Sequence, residues 1–271
     1  MNIFFAKFAS LMWGPWLLIL LLGVGFWLTF RLGGIQFRNL FYALRLAFSK
    51  ERAGEGDISH FGALMTALAA TVGMGNIAGV STAVALGGPG AIFWMWMTGL
   101  VGMATKYSES FLAVKYRQVN EHGEISGGPM YYLEHGLGQK WLGMCFAIFG
   151  SLAAFGIGNM IQANTAATAV VESLGASKFS VGLILAVLTA LVIIGGIKRI
   201  SDVASIFVPF MVAIYFVGAL IVILSHLSQL GVGIKLIFEH AFTGTAATGG
   251  FIGASLAQTI RYGVARGLFS N

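Results

Sequence analysis

The chain has 271 residues, of which 57% are apolar and only 10% charged, with a formal net charge of +6. A soluble globular domain carries about 25% charged residues because its surface faces water, so this composition excludes an ordinary soluble domain. The basic residues gather in a few connectors between apolar runs, which points to membrane orientation rather than to nucleic acid. Cys145 is the single cysteine, inside the apolar run Trp141–Phe149, so neither an intrachain disulfide nor a thiolate metal cluster can form. Its surroundings fit a packing cysteine.

A first apolar run, Leu11–Phe30, is long enough to cross a bilayer and too long for the core of a signal peptide. It is expected to be a retained transmembrane helix. The polar connector Arg31–Asp57 holds an amphipathic stretch, Phe37–Arg45, suited to lying along the headgroups. A second span, His60–Leu86, lacks any Lys, Arg, Asp or Glu and ends at the turn Gly87-Gly88-Pro89-Gly90. The third begins near Ala91, carries Trp94 and Trp96 where interfacial tryptophans belong, and runs to Lys106 and Glu109.

After a hydrophilic connector, Lys115–Lys140, the fourth span Trp141–Val171 has no formal charge. At ~1.5 Å per residue it exceeds the bilayer core, which predicts a tilt or a bend. The fifth span covers Val181–Ile197, and the sixth covers Val203–Leu224 with an expected kink near Pro209. Ser225–Gly249 reads as a linker leading to a moderately apolar last segment, Gly250–Asn271, that contains Arg261 and Arg266.

The connectors after the first, third and fifth spans hold Arg31, Arg38, Arg45, Lys50, Arg52, Lys106, Lys115, Arg117, Lys140, Lys198 and Arg199, eleven in all. The other side holds three, Lys7, Lys178 and Lys235. The positive-inside rule puts the N-terminus outside and the first connector in the cytoplasm.

The second span contains Ala69-Ala70-Thr71-Val72-Gly73-Met74-Gly75-Asn76-Ile77-Ala78-Gly79. Two glycines and an asparagine near the middle of a span make a poor continuous helix, each glycine costing about 1 kcal/mol relative to alanine. Backbone left unsatisfied at that depth is tolerated only beside a protected polar cavity. Exposed carbonyls there can ligate a hard cation, and the amides opening a second half-helix can hold a carboxylate. This is how secondary transporters bind a small substrate at the midplane. Gly75 and Gly79 also form a G-x-x-x-G pair, which can serve helix packing alone. A dinucleotide-binding loop is excluded by the spacing and by the absence of a preceding strand.

Asn159, Gln162, Asn164 and Thr165 crowd the middle of the fourth span. Amides inside a bilayer must face protein or a cavity, as interhelical glue or as a site. Asn159 and Gln162, three apart, share a face, and Gln162 is the candidate ligand. The histidines show no metal-binding spacing and no catalytic motif is present, so an enzyme or a transition-metal site is not expected.

Four stretches resemble the alanine or glycine:cation symporter family, the sodium:alanine symporters. They are Thr71–Gly79, Gly127-Gly128-Pro129-Met130-Tyr131-Tyr132, Gly156–Asn164, and the terminal Ile260–Asn271. The family occupies the inner membrane of bacteria and archaea and imports alanine or glycine with sodium. The resemblance implies an all-α integral membrane protein with the inverted-repeat fold of the sodium-coupled leucine transporter, of which this chain carries six transmembrane helices and the start of a seventh. Residues 1–58 would be the N-terminal helix and amphipathic connector, 59–249 the first five-helix repeat with its following linker, and 250–271 the start of the second repeat.

By position in the related fold, the substrate site would comprise Thr71, Gly73, Met74, Gly75, Asn76 and Gln162. The amides near Met74 and Gly75 would hold its carboxylate, and the Thr71 carbonyl would face its ammonium. Sodium would be ligated by Ala69, Thr71, Val72 and Asn76. Sodium is the coupling ion and no other cofactor is implied; the bilayer is the remaining partner. Family members continue past the equivalent of Asn271 with a glutamate-containing break and more helices, so the chain is expected to be a truncated half that does not transport alone. The alternatives are an ion channel or a non-transporting structural subunit. Proton coupling is disfavoured because no carboxylate or histidine lies deep in a span.

Overall fold

The structure is a computed structural model that describes residues 4, 8, 11–12, 14–49, 56–119, 121, 123, 125–243 and 255–269. The calls on Lys7, Lys50 and Arg52, and on residues 244–254 and 270–271, lie outside the described residues. The described residues are helical apart from one small hairpin and short connectors.

Helix α1 spans Pro15–Arg31, with proline in its first turn where no backbone donor is lost. The amphipathic stretch forms two helices, α2 (Ile35–Arg38) and α3 (Leu40–Ala47), separated at Asn39. The second span is broken: α4 (His60–Thr71) starts at Ser59, whose side chain accepts from the Gly62 N–H. A π-helical turn, Gly75–Gly79, and α5 (Val80–Gly87) follow. Helix α6 covers Gly90–Lys115.

Strands β1 (Gln118–Val119) and β2 (Ile125–Ser126) pair antiparallel in the hydrophilic connector. A short helix, α7 (Pro129–Tyr131), runs into a π-helical turn, Tyr132–Gly136. The fourth span is interrupted as well: α8 (Lys140–Ala153) and α9 (Ile161–Leu174) are joined by π-helix over Ala154–Met160. The fifth and sixth spans form α10 (Lys178–Ile193) and α11 (Gly196–Ser225), the latter passing through Pro209. Ser225–Gly249, read as a linker, is instead helical over Leu227–Thr243 (α12). The last described helix, α13, spans Leu256–Phe269.

Among the described residues, two helical runs, Lys140–Leu174 and Gly196–Ser225, are long and apolar enough to cross a membrane, or three if the broken pair His60–Thr71 and Gly75–Gly87 is one span. Along α11, Ile206, Phe207, Phe210 and Phe216 are 71%, 65%, 66% and 67% exposed. A helix that shows its large apolar side chains outward along its length suits lipid, not water.

The chain forms two compact units, and the boundary between them falls between Met74 and Gly75, inside the broken span. Unit one holds residues 1–40, 75–108 and 214–271. Its core is made close by small residues: Ala91, Thr98, Ala104, Ala241, Thr259 and Val264 are fully buried. A methyl group placed on Gly263 would lie 2.6 Å from Cβ of Trp94, and one on Gly267 would lie 2.7 Å from Cβ of Thr98, so α13 approaches α6 as only glycine permits. The Trp94 indole donates to the Ala241 carbonyl at 2.9 Å and joins Phe93, Phe238 and Phe242 in an aromatic cluster between α6 and α12.

Unit two holds residues 41–74 and 109–213. Met65 of α4 packs with Ala204 and Val208 of α11, flanked by Phe61, Leu64, Leu68 and Val212. Gly62 lies directly against the Ser201 side chain. This packing seats α4, whose C-terminal end carries the first half of the candidate site.

Candidate functional site

Helix α4 ends because Gly73 and Gly75 remove the side chains that favour helix and the chain leaves helical geometry at Val72, with φ −87° and ψ 92°. An α-helix that stops leaves four carbonyls without intrahelical amides. Here Leu68 O accepts from the Val72 N–H at 2.8 Å, and the carbonyls of Ala69, Ala70 and Thr71 complete the end. Ala69 and Thr71 thus lie in the last turn of α4, and Val72 is the residue that turns the chain away. The Thr71 hydroxyl donates back to Ala67 O at 3.0 Å, a bond that tends to bend a helix.

Within unit two the break meets the polar part of the fourth span. The Met74 N–H donates to Oε1 of Gln162 at 3.2 Å. A methyl group on Gly73 would lie 3.1 Å from the same oxygen and 3.2 Å from Nε2, so the carboxamide lies over the bare Gly73 Cα. The Thr165 hydroxyl donates to the Met74 sulfur at 2.7 Å. The structure therefore gathers Gly73, Met74 and Gln162, with Thr165 beside them, into one polar group. Asn159 lies in the π-helical stretch and Asn164 in α9, both exposed. A π-helical turn shifts the register of the face that follows it, and such turns recur at functional sites.

Within unit one, Gly75 and Asn76 open the π-helical turn Gly75–Gly79. A methyl group on Gly79 would lie 2.7 Å from Nη1 and 3.1 Å from Cζ of Arg266, and one on Gly75 would lie 3.1 Å from Cζ and collide with Nη2. The G-x-x-x-G pair thus does face a neighbouring helix, α13, but through an arginine. Sequence reasoning left Arg266 in a weakly apolar segment because no local spacing connects it to Gly75. The signal was chemical: an arginine in the apolar surroundings of a membrane chain is expensive and marks a functional position.

Chemically the groups gathered within unit two are a backbone amide and a carboxamide, with the helix-end carbonyls of α4 beside them in the chain. Such a set binds a carboxylate, an ammonium group and a hard monovalent cation, and holds no nucleophile, general base or transition-metal ligand.

The family model described as "Sodium:alanine symporter family" matches residues 1–271. The chain belongs to the sodium:alanine symporter family. It is 54% identical over 269 residues to the sodium/alanine symporter AgcS of Methanococcus maripaludis, covering 97% of this chain and 58% of that relative. It is 40% identical over 268 residues to the putative sodium/proton-dependent alanine carrier protein YrbD of Bacillus subtilis, covering 99% of this chain and 54% of that one. The probable sodium/glutamine symporter GlnT of Bacillus subtilis is 40% identical over 263 residues, 97% of this chain and 54% of its own length. The chain thus spans a little over half the length of these family members. The resemblance read from the four sequence motifs agrees with this membership, and the family is one of transporters rather than enzymes.

Proposed function

We propose that the protein serves sodium-coupled symport of a small neutral amino acid, alanine or glycine, across the inner membrane. The observation that carries the reading is the Met74 amide: at the break of an apolar helical run it turns to the Gln162 carboxamide instead of its own helix. A backbone donor offered to a polar side chain there is a carboxylate seat. The substrate carboxylate takes the amides near Met74 and Gly75, beside Gly73 and Gln162, and its ammonium group takes the Thr71 carbonyl. Sodium takes Asn76 with Thr71, and the carbonyls of Ala69 and Val72 suit a second ion. The likeness to AgcS, a sodium/alanine symporter, and to YrbD, a putative sodium/proton-dependent alanine carrier, supports this assignment, while the likeness to GlnT, a probable sodium/glutamine symporter, makes glutamine the competing substrate to test.

The same reading carries six transmembrane helices with the N-terminus outside and the start of a seventh. It also carries a first inverted repeat within 59–249, preceded by 1–58 and followed by 250–271, of the leucine-transporter type. Binding of labelled alanine to the purified full-length protein tests the reading. Binding should appear with sodium and vanish when choline replaces it; equal binding in both would overturn sodium coupling.

A further inference from the structure

Arg266 stands in the last turn of α13. A basic side chain there ordinarily lies along its own helix end, where it satisfies carbonyls and the negative end of the dipole. Its guanidinium instead crosses to the π-helical turn at the start of the second half-helix, over the bare faces of both Gly75 and Gly79. A Gly-x-x-x-Gly pair that served only close approach would meet backbone and the roots of side chains, as Gly263 and Gly267 do against the Ala91 backbone, Cβ of Trp94 and the Thr98 side chain. At Gly75 and Gly79 the room is taken by a charge, and Asn76 lies between them in the chain.

We propose that Arg266 is a specificity-determining residue of the symport reaction: seated in the Gly75–Gly79 notch, its fixed positive charge favours a carboxylate at the Gly75 amide and opposes a cation at Asn76. The inference rests on the symport reading of the previous subsection. A guanidinium keeps its proton at any working pH, so this charge is permanent. Water is scarce around a half-buried site, so a charge several ångströms away changes a binding constant by about tenfold or more. Its two effects have opposite signs. It tightens the hold on an anionic group, and it weakens sodium binding enough that sodium occupancy comes to depend on the arrival of a carboxylate. Ligands without a carboxylate, such as simple alkylamines, are rejected by the same charge.

The test uses proteoliposomes of the full-length protein, wild type against Arg266→Gln, Arg266→Lys and Gly79→Ala. Initial rates of labelled alanine uptake are measured against alanine and against sodium. For Arg266→Gln, KM for alanine should rise about tenfold while the sodium concentration for half-maximal rate falls several-fold. Arg266→Lys, which keeps the charge, should hold both constants within about twofold of wild type. Gly79→Ala pushes the guanidinium aside without removing it and should move both constants in the Arg266→Gln directions by a smaller factor. Arg266→Gln lowering only the maximal rate, or moving both constants the same way, would mean a packing arginine and overturn the inference. If Arg266→Gln does not fold, unchanged constants in a well-folded Gly79→Ala would overturn it instead. Wild-type protein without sodium-dependent uptake would overturn the symport reading and this inference with it.

Discussion

The backbone N–H of Met74 donates to Oε1 of Gln162 at 3.2 Å, joining the broken helix to the amide-rich middle of the fourth span. Two residues far apart in sequence are thereby linked by a hydrogen bond at the break. A carboxylate that seats on the Met74 amide competes with Gln162 for that donor, and the freed carboxamide can then turn its N–H groups to the substrate. Replacing Gln162 with Ala removes the competitor and the new donor together. A hydrogen bond to a charged group is worth about 1.5–3 kcal/mol, so KM for alanine should rise by at least tenfold, with a smaller change in the sodium constant. Uptake kinetics at saturating sodium measure this.

Gly73 should act through the same carboxamide. A methyl group there would press on Gln162 at 3.1–3.2 Å, so Gly73→Ala should weaken alanine binding several-fold in the wild-type background. In the Gln162→Ala background the same substitution should have little effect, because contacting residues couple by about 0.5–3 kcal/mol. A double-mutant cycle on alanine KM reads that coupling. Fully additive effects would separate the two residues.

The helix break and its meeting with the fourth span were legible in the sequence, for physical reasons. Glycine and asparagine in the middle of an apolar span cannot continue a helix cheaply, so the break at Val72–Met74 was written locally. Amides at bilayer depth must find partners, which singled out Gln162. Three features escaped. Helix α12 was read as linker because Gly231, Gly233, Lys235 and Glu239 dilute its apolar face, which becomes readable only once Phe238, Ala241 and Phe242 are seen against α6. The hairpin of β1 and β2 has only two residues in each strand, below what alternation can reveal. The seat of Arg266 on Gly75 and Gly79 is a tertiary contact between distant segments, and no periodicity encodes it.

Asn76→Asp and Gly75→Leu address the second half of the break. Asn76→Asp adds a negative charge beside the carboxylate seat, and Gly75→Leu drives a branched side chain into the guanidinium of Arg266. Both should reduce sodium-driven alanine uptake to background while the protein remains monodisperse on size exclusion. Uptake retained in Asn76→Asp at wild-type KM would remove Asn76 from the site.

Gly263 tests the packing of α13 on α6. A Cβ there collides with the Ala91 backbone and with Cβ of Trp94, so Gly263→Leu overpacks a closed interface. Such changes cost about 1–3 kcal/mol, occasionally more. Thermal unfolding in detergent should show a lower Tm for Gly263→Leu. Gly182→Leu is the comparison, since a Cβ at Gly182 meets nothing within 4 Å and should leave Tm near wild type.

The hydrophilic connector offers a pH test. Burial first, and the nearby Glu109 second, raise the Tyr132 phenol above its ordinary value of 10.0. The folded state therefore holds the proton more tightly than the unfolded chain. Its contribution to stability is complete below pH 10 and is lost as pH rises from there through the folded value. Spectrophotometric titration of wild type against Tyr132→Phe should show the missing phenolate step above pH 10, and Glu109→Gln should bring that step lower. A missing step at or below pH 10 would contradict the assigned environment.

The most direct measurement of the central claim is uptake of labelled alanine into proteoliposomes of the full-length protein, with an inward sodium gradient and with choline in its place. Sodium-coupled symport through the Thr71–Asn76 break predicts accumulation above equilibrium only with the sodium gradient, and its loss in Gly75→Leu. Uptake that proceeds equally without sodium, or ion current that flows without any amino acid, would contradict it.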